Sequence, residues 1–425
     1  MAVLPRIDLS LHRCKVPDDL ACVTTRDAHR EVRADDLGLA TDAIDRIWER
    51  TEALYRTGMS PGISLCLRYR GQIVLNRAIG HARGNGPQDD AYTEKELLTP
   101  ATPVCLFSAS KAVTAMLVHW LAQEGKINLL DPIAHYIPEF ANHGKENTTI
   151  QHLLSHRGGV PRLEGAIDPT VMFDHDAVMH MLCNARPVSP GGRRLAYHAI
   201  TGGFILAEIV ARASGRSVRD ILRDVIQKPL GMRYFNYGAD PTDAHKIALN
   251  YFTGMKPMFP FNRYIKHVLG GDLEEAIDVS NDPRWLQAII PAGNICATAE
   301  ETSRFFELLR QGGTLDGVHV FDPLTVHRAV MEAGKVELDR TLMMPMRYSM
   351  GMMLGSKPFG LMGPSTEQAY GHLGFANILA WADPERELSA ALLTTGKPLV
   401  GPHFVPWFKV LWEIADQCPQ SDLRK

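Results

Sequence analysis

The stretch Ser108-Ala109-Ser110-Lys111-Ala112-Val113-Thr114-Ala115-Met116-Leu117-Val118-His119-Trp120-Leu121-Ala122-Gln123 decides how this chain reads. It sets a serine hydroxyl and a lysine amine three residues apart where an apolar helical run begins. Apolar residues recur at helical spacing, and neither Pro nor Gly interrupts before Gly125, so the pattern predicts a helix from Ser108 to Gln123. Positions i and i+3 of a helix share a face, so Lys111 can reach the Ser108 hydroxyl. A helix N-terminus also favours negative charge, which helps a developing alkoxide. Ser108 is therefore a candidate nucleophile, activated by Lys111 without a histidine. A helix-capping serine followed by a solvated lysine would read the same, so the rest of the chain must decide.

Upstream, Leu37 to about Thr57 has helical periodicity, with Ile44, Ile47, Trp48 and Leu54 on its apolar side. Ile63–Tyr69 and Ile73–Ile79 read as a hairpin turning at Arg70-Gly71, and Gly84–Glu96 as a surface loop. Downstream, Ile205–Ala213 and Glu301–Leu309 are helices closed by glycines. Ile378–Ala382 and Leu388–Thr394 are strands joined by Asp383-Pro384-Glu385-Arg386, and a last helix spans Val405–Ala415. Strands at both ends with helices between predict one antiparallel sheet built from the two termini, an α/β chain of the α+β type. The expected divisions are an N-terminal arm over 1–35, a discontinuous sheet domain over 36–104 and 287–425, and a mostly helical domain over 105–286. An aromatic and Met-rich insertion falls around 250–285.

A lysine-activated serine needs a proton carrier for the leaving group, donors for the oxyanion, and an acyl pocket. Tyr197-His198-Ala199 follows Pro190-Gly191-Gly192 in a loop that can face a cleft. A phenol beside a lysine ammonium has a lowered pKa and can act as a base; a half-buried structural tyrosine is the competing reading. Gly371-His372-Leu373-Gly374-Phe375 has glycines that allow substrate to approach the backbone, and the Phe375 N–H is a candidate oxyanion donor beside that of Ser108. Phe252, Phe259 and Phe261, with Tyr251, Met255, Met258 and Tyr264, are candidates for a hydrophobic pocket wall. A packed insertion serving as core, or as a contact in a homodimer, explains them equally well. The second Met cluster, Met343 to Met353, reads as core.

The order and spacing of these elements resemble the serine β-lactamase/penicillin-binding-protein superfamily, with class C enzymes and the family VIII carboxylesterases as the nearest branch. Ile150-Gln151-His152-Leu153-Leu154-Ser155-His156-Arg157-Gly158-Gly159-Val160-Pro161 looks like that family's "LLxHxSGLP" segment. Pro61-Gly62, Pro291-Ala292-Gly293-Asn294 and Gly312-Gly313-Thr314-Leu315-Asp316-Gly317 match further landmarks, so the resemblance runs from about residue 37 to about 415. It implies a β-lactamase/transpeptidase-like fold: an antiparallel sheet flanked by helices, plus an all-helical domain. It also implies Ser108 as nucleophile, Lys111 as its activator, Tyr197 as general base and acid, and His372-Leu373-Gly374 in the place of Lys-Thr-Gly.

Two departures narrow the substrate. Ala199 stands where the β-lactam-processing members keep the Asn of Tyr-x-Asn, and His372 replaces the Lys of Lys-Thr-Gly. A histidine near its reference pKa of roughly 6.5 is mostly neutral at pH 7, so no permanent cation is expected there for an anionic substrate. Thr394-Thr395-Gly396-Lys397 is not the missing motif, since its lysine follows the glycine. The leading expectation is a carboxylesterase for small or hydrophobic esters working through an acyl-enzyme, with acyl transfer to other alcohols. The alternatives are a β-lactamase or D-Ala-D-Ala carboxypeptidase, and a binding protein that keeps the fold without turnover.

The bulk properties exclude other classes. With 425 residues, 45% hydrophobic, 22% charged and a formal net charge of -3, the chain carries no electrostatic footprint for nucleic acid. No apolar run approaches a membrane span, and the opening residues lack a basic segment followed by an apolar core, so a cytoplasmic protein is expected. Seven cysteines without Cys-x-x-Cys pairs fit reduced buried thiols; Cys105 reads as a packed hydrophobe. His152 and His156 share i, i+4 spacing, but no Glu follows His152, so no metal or other cofactor is expected. The chain also lacks a Gly-x-Ser-x-Gly elbow.

Overall fold

The computed structural model describes residues 10–421 apart from 91, 164–167, 270 and 376. Its main sheet is antiparallel and draws on both ends of the chain. The strands are β1 (Thr24–Arg26), β2 (Gly62–Tyr69), β3 (Gln72–Arg83), β4 (Glu96–Leu97), β5 (Met353–Leu354), β6 (Tyr370–Gly374), β7 (Ile378–Asp383) and β8 (Leu388–Thr394). They run in the order β5-β6-β7-β8-β2-β3-β1, with β4 also pairing β3. β2 against β8 is the seam between the two ends, in register from Ile63 opposite Thr394 to Tyr69 opposite Leu388.

The period of two that marks a strand sorts side chains between two cores. Along β8, Leu388, Ala390 and Leu392 enter one core, while Ala391 and Leu393 enter the other. Five helices frame the site: α1 (Ala43–Tyr55), α2 (Ser110–Gln123), α3 (Thr201–Ser214), α4 (Ala299–Arg310) and α5 (Phe404–Gln417). α1 and α5 cover the first face through Ile47, Trp48, Val410 and Leu411. α4 lies on the other through Phe305, Phe306 and Leu309, and is tied to the sheet by the buried pair Arg68–Glu300 and by Ser389 Oγ donating to Glu307 over 2.9 Å. α2 is buried on nearly every side, as befits a helix apolar all round. α3 ends at Gly215, which takes the left-handed conformation (φ 71°).

Three expectations change. The first helix begins at Ala43 rather than Leu37, because Asp35–Leu37 form a 3-10 turn that ends in left-handed Gly38. The segment expected as an arm supplies β1, an edge strand of the sheet. Leu20 and Val23 are buried, and Glu31 pairs with Arg77 at 3.1 Å, contacts that a polar reading of those residues overlooks. In the second Met cluster, Met346, Met350, Met352 and Met353 are core, but Met343 and Met344 are exposed on a separate hairpin.

Candidate active site

Ser108 sits in a 3-10 turn, Phe107–Ala109, that leads directly into α2. The helix proper starts two residues later than predicted, yet the i, i+3 relation survives because a 3-10 turn eclipses residues three apart. Lys111 Nζ lies 2.9 Å from Ser108 Oγ and donates to the Ala292 carbonyl over 3.0 Å. Ser108 is half-buried and reachable; Lys111 is buried. Phe107, just before the serine, holds a left-handed backbone (φ 46°). For a residue with a Cβ that conformation costs about 1–3 kcal/mol, and the turn stores it at the nucleophile.

Asn294 braces the segment that leads to Ala292. Its Nδ2 donates to the Trp285 and Ala288 carbonyls over 2.7 and 3.0 Å, while its Oδ1 accepts from Ile290 N over 3.0 Å. The side chain is fully buried, so each partner replaces a water it has lost. Burial pushes the Lys111 amine well below the ordinary lysine range. No carboxylate among the described residues pairs with it, and burial therefore favours the free amine over the ammonium.

Tyr197 arrives from the loop before α3, buried, with its phenol facing the Ser108 side chain. Lys111 Nζ stands 5.0 Å from the centre of the phenol ring. The expectation of a lowered phenol pKa is reversed. Burial raises it, the Asp339 carboxylate adds to the rise, and the nearby Ser108 hydroxyl opposes only in part. Burial disfavours the charged form of both groups, the phenolate of Tyr197 and the ammonium of Lys111. One hydroxyl is thus flanked by a lysine inclined to lose its proton and a phenol inclined to keep its own.

His372 lies on β6 with its ring 6.0 Å from that of Tyr197. It is buried, its Nδ1 is 2.7 Å from the Leu373 carbonyl, and its Nε2 is a bare acceptor. Burial and the neighbouring lysine lower it to about 3, so it holds no positive charge. His156 and His198 are also kept neutral by burial, the second at about 4. A cavity of about 30 Å³ behind Lys111, lined in part by His156, His198 and Gly202, has room for a single water. Lys397, set aside in the sequence, is fully buried, with Nζ on the Thr394 carbonyl and 4.9 Å from the centre of the Phe107 ring.

Gly374 explains how β6 reaches the nucleophile. A Cβ there would meet the Leu106 carbonyl oxygen at 2.4 Å and Ile378 Cβ at 2.8 Å, so only glycine permits the approach. The Phe375 ring then lies 5.2 Å from that of Phe107, flanking Ser108, and Trp285 follows at 6.3 Å from Phe107. Leu373 is partly buried against the core that holds Tyr197.

The phenylalanines expected as a pocket wall take other places. Phe252 is buried in the insertion's small core with Ile265, Leu273 and Ile277, which Phe375 borders. Phe259 and Phe261 are 77% and 40% exposed on the insertion surface, Phe261 stacking on Tyr264. Trp285 and Phe375 instead pack against Phe107, the residue before Ser108. A lone Trp or Phe carries no sequence signal for such a place, and neither the left-handed Phe107 nor the Ala292 carbonyl could be read from residue type.

Comparison with known proteins places this geometry. The family model described as Beta-lactamase matches residues 49–410. "Esterase/beta-lactamase LipL" of Mycobacterium tuberculosis is 28% identical over 304 residues, 68% of either chain. A penicillin-binding protein homologue from Caulobacter crescentus superposes with a TM-score of 0.75 at 26% identity, covering 89% of this chain and 99% of that one. A family VIII carboxylesterase shares the fold with a TM-score of 0.74 at 23% identity, over 88% and 98% of the two chains.

Proposed function

The chain belongs to the beta-lactamase family, and from that premise we propose that it is a serine carboxylesterase cleaving small or hydrophobic esters through an acyl-enzyme on Ser108. One observation carries the reading: the Ser108 hydroxyl lies 2.9 Å from the amine of a lysine whose pKa burial lowers well below the ordinary range. As Ser108 Oγ attacks the ester carbonyl carbon, Lys111 takes the hydroxyl proton. The carbonyl oxygen becomes an oxyanion held by the N–H groups of Ser108 and Phe375. Collapse breaks the bond to the alcohol oxygen, which receives the Tyr197 proton. Lys111, now ammonium, returns a proton to the phenolate, and water or a second alcohol releases the acyl group by the reverse sequence.

The neutral His372 supports an uncharged ester over a substrate bearing a carboxylate, because that strand position offers an anion no cation to offset its desolvation. A β-lactamase is the second reading, favoured by the double description of LipL. The deciding assay sets p-nitrophenyl acetate and butyrate against nitrocefin, with Ser108→Ala as control. Ester turnover lost in Ser108→Ala with nitrocefin inert supports the esterase. Nitrocefin turnover comparable to that of the esters turns the assignment to β-lactamase. If neither turns over and a serine-directed phosphonate leaves Ser108 unlabelled, the enzyme reading fails.

A further inference from the structure

Asp339 is the fully buried carboxylate nearest to Tyr197, and no cation pairs with it among the described residues. Its Oδ1 accepts three main-chain N–H groups: Tyr197 over 3.1 Å, Thr341 over 2.8 Å and Leu342 over 2.9 Å. Its Oδ2 accepts the Tyr348 hydroxyl over 3.0 Å. A buried acceptor-only group with four donors converging on it is held in one orientation, and so holds its donors. Two of those donors belong to its own turn. The third belongs to the residue that faces the nucleophile, 142 positions away in sequence.

The neighbours of Tyr197 are fixed in the same way from the other side. Ala196 N donates to the His156 carbonyl over 3.0 Å, and His198 N to His156 Nδ1 over 3.3 Å. The His156 ring sits 4.7 Å from both the Tyr197 and the Tyr348 rings. His156 itself takes a left-handed backbone (φ 58°). The three consecutive N–H groups of Ala196, Tyr197 and His198 therefore all have side-chain or turn acceptors rather than a strand partner. This segment lacks the ladder that would otherwise set its register, and Asp339 supplies the bond at its centre.

We propose that Asp339 is the positioning residue for Tyr197, tethering the tyrosine main chain so that its phenol stays on Ser108 Oγ and the leaving oxygen. The inference rests on Tyr197 acting as the proton donor. The groups facing that phenol are Lys111 from α2, Ser108 from the turn before it, His156, His372 from β6, and Tyr348. Burial disfavours charge on Lys111, His156 and His372 alike, so the phenol is placed by geometry and not by a salt bridge.

The experiment compares kcat/KM for p-nitrophenyl butyrate and ethyl butyrate. p-Nitrophenolate leaves without a proton, whereas ethoxide requires one, so a displaced Tyr197 harms only the second. Asp339→Ala is expected to lose about 100-fold on the ethyl ester, the order of a 1 Å misplacement, and under threefold on the p-nitrophenyl ester. Asp339→Asn keeps an Oδ1 acceptor for the three N–H groups and a donor for the Tyr348 oxygen, and should restore the ethyl ester to within about fivefold of the native enzyme. Asp339→Glu keeps the charge but pushes the acceptor out by one methylene; it should show the selective loss, and it decides the matter if the alanine variant does not fold. Equal losses on both esters, or none, overturn the positioning role. Tyr197→Phe separates the two readings. If it hydrolyses ethyl butyrate as the native enzyme does, Tyr197 is not the donor; if it loses that ester while Asp339→Ala and Asp339→Glu do not, Asp339 is not its tether.

Discussion

Lys111 Nζ and Ser108 Oγ face each other at 2.9 Å inside a site that contains no counter-charge for an ammonium among the described residues. Burial therefore weakens the hold on the proton that would block Lys111 as a base. Lys111→Arg is expected to abolish this, because a guanidinium does not deprotonate in proteins. kcat/KM on p-nitrophenyl butyrate should fall by about a thousandfold or more. A loss under tenfold would mean that another group takes the serine proton.

The same lysine sets a pH dependence. Its folded pKa is depressed, so the amine is active above that value and is silenced as pH falls through it. The acid limb of kcat/KM should lie well below the roughly 10.4 of an ordinary lysine, with activity rising through it to a plateau. A profile still climbing at pH 10 would contradict the free-base reading.

Stability should fall in acid. His372, His198 and His403 are lowered to about 3, 4 and 4, against roughly 6.5 in the unfolded chain. Between those values the unfolded chain binds protons that the folded chain refuses. The stability contributed by the neutral rings is complete above pH ~6.5 and is lost as pH drops toward their folded values. The thermal midpoint should decline from pH 7 to pH 4, and His198→Leu should flatten that slope. An unchanged slope would place the acid sensitivity elsewhere.

Gly374→Ala tests the close approach of β6. The added Cβ meets backbone at 2.4 Å, so the strand end and the Phe375 N–H must move away from Ser108. Losing one oxyanion donor costs roughly 100- to 1000-fold in kcat. The variant should still be labelled slowly by a serine-directed phosphonate. Native kcat in this variant would remove Phe375 from the oxyanion site.

Asn294→Ala should destabilise the fold by about 2–4 kcal/mol, since it strands buried partners at three backbone groups. It also loosens the segment leading to Ala292, whose carbonyl accepts from Lys111. A chemical denaturation curve shows the first effect, and kcat/KM the second.

The sequence made the sheet legible because its strands alternate or run apolar between clear turns, as at Ile63–Tyr69 and Leu388–Thr394. Ser108, Lys111 and Tyr197 were visible because their chemistry depends on residue type and order. Asp339 was not. Its neighbours, Leu338 and Arg340, form no motif, and its importance comes from a contact with Tyr197 that only the folded hairpin of residues 337–346 creates. The charge states were missed for a related reason. A sequence shows a lysine beside a tyrosine, but the direction of the proton between them depends on burial, which is a property of the assembled core. Phe259 and Phe261 show the converse error, where apolar character suggested a pocket and the fold left both rings on the surface.

The seam of β2 against β8 has a consequence for the order of events during synthesis. A ribosome releases the nucleophile, its lysine and Tyr197 long before it makes Leu388–Thr394, and the pairing of Ile63 with Thr394 must wait for that last strand. Such distant contacts close slowly, because the intervening chain must first give up its freedom. β6, with Gly374 and Phe375, is also translated late and packs against β7 beside that seam. On the proposed mechanism the nascent chain therefore carries Ser108 without the strand that leads to Phe375, and a product truncated before β6 would be chemically silent however well its helices had formed.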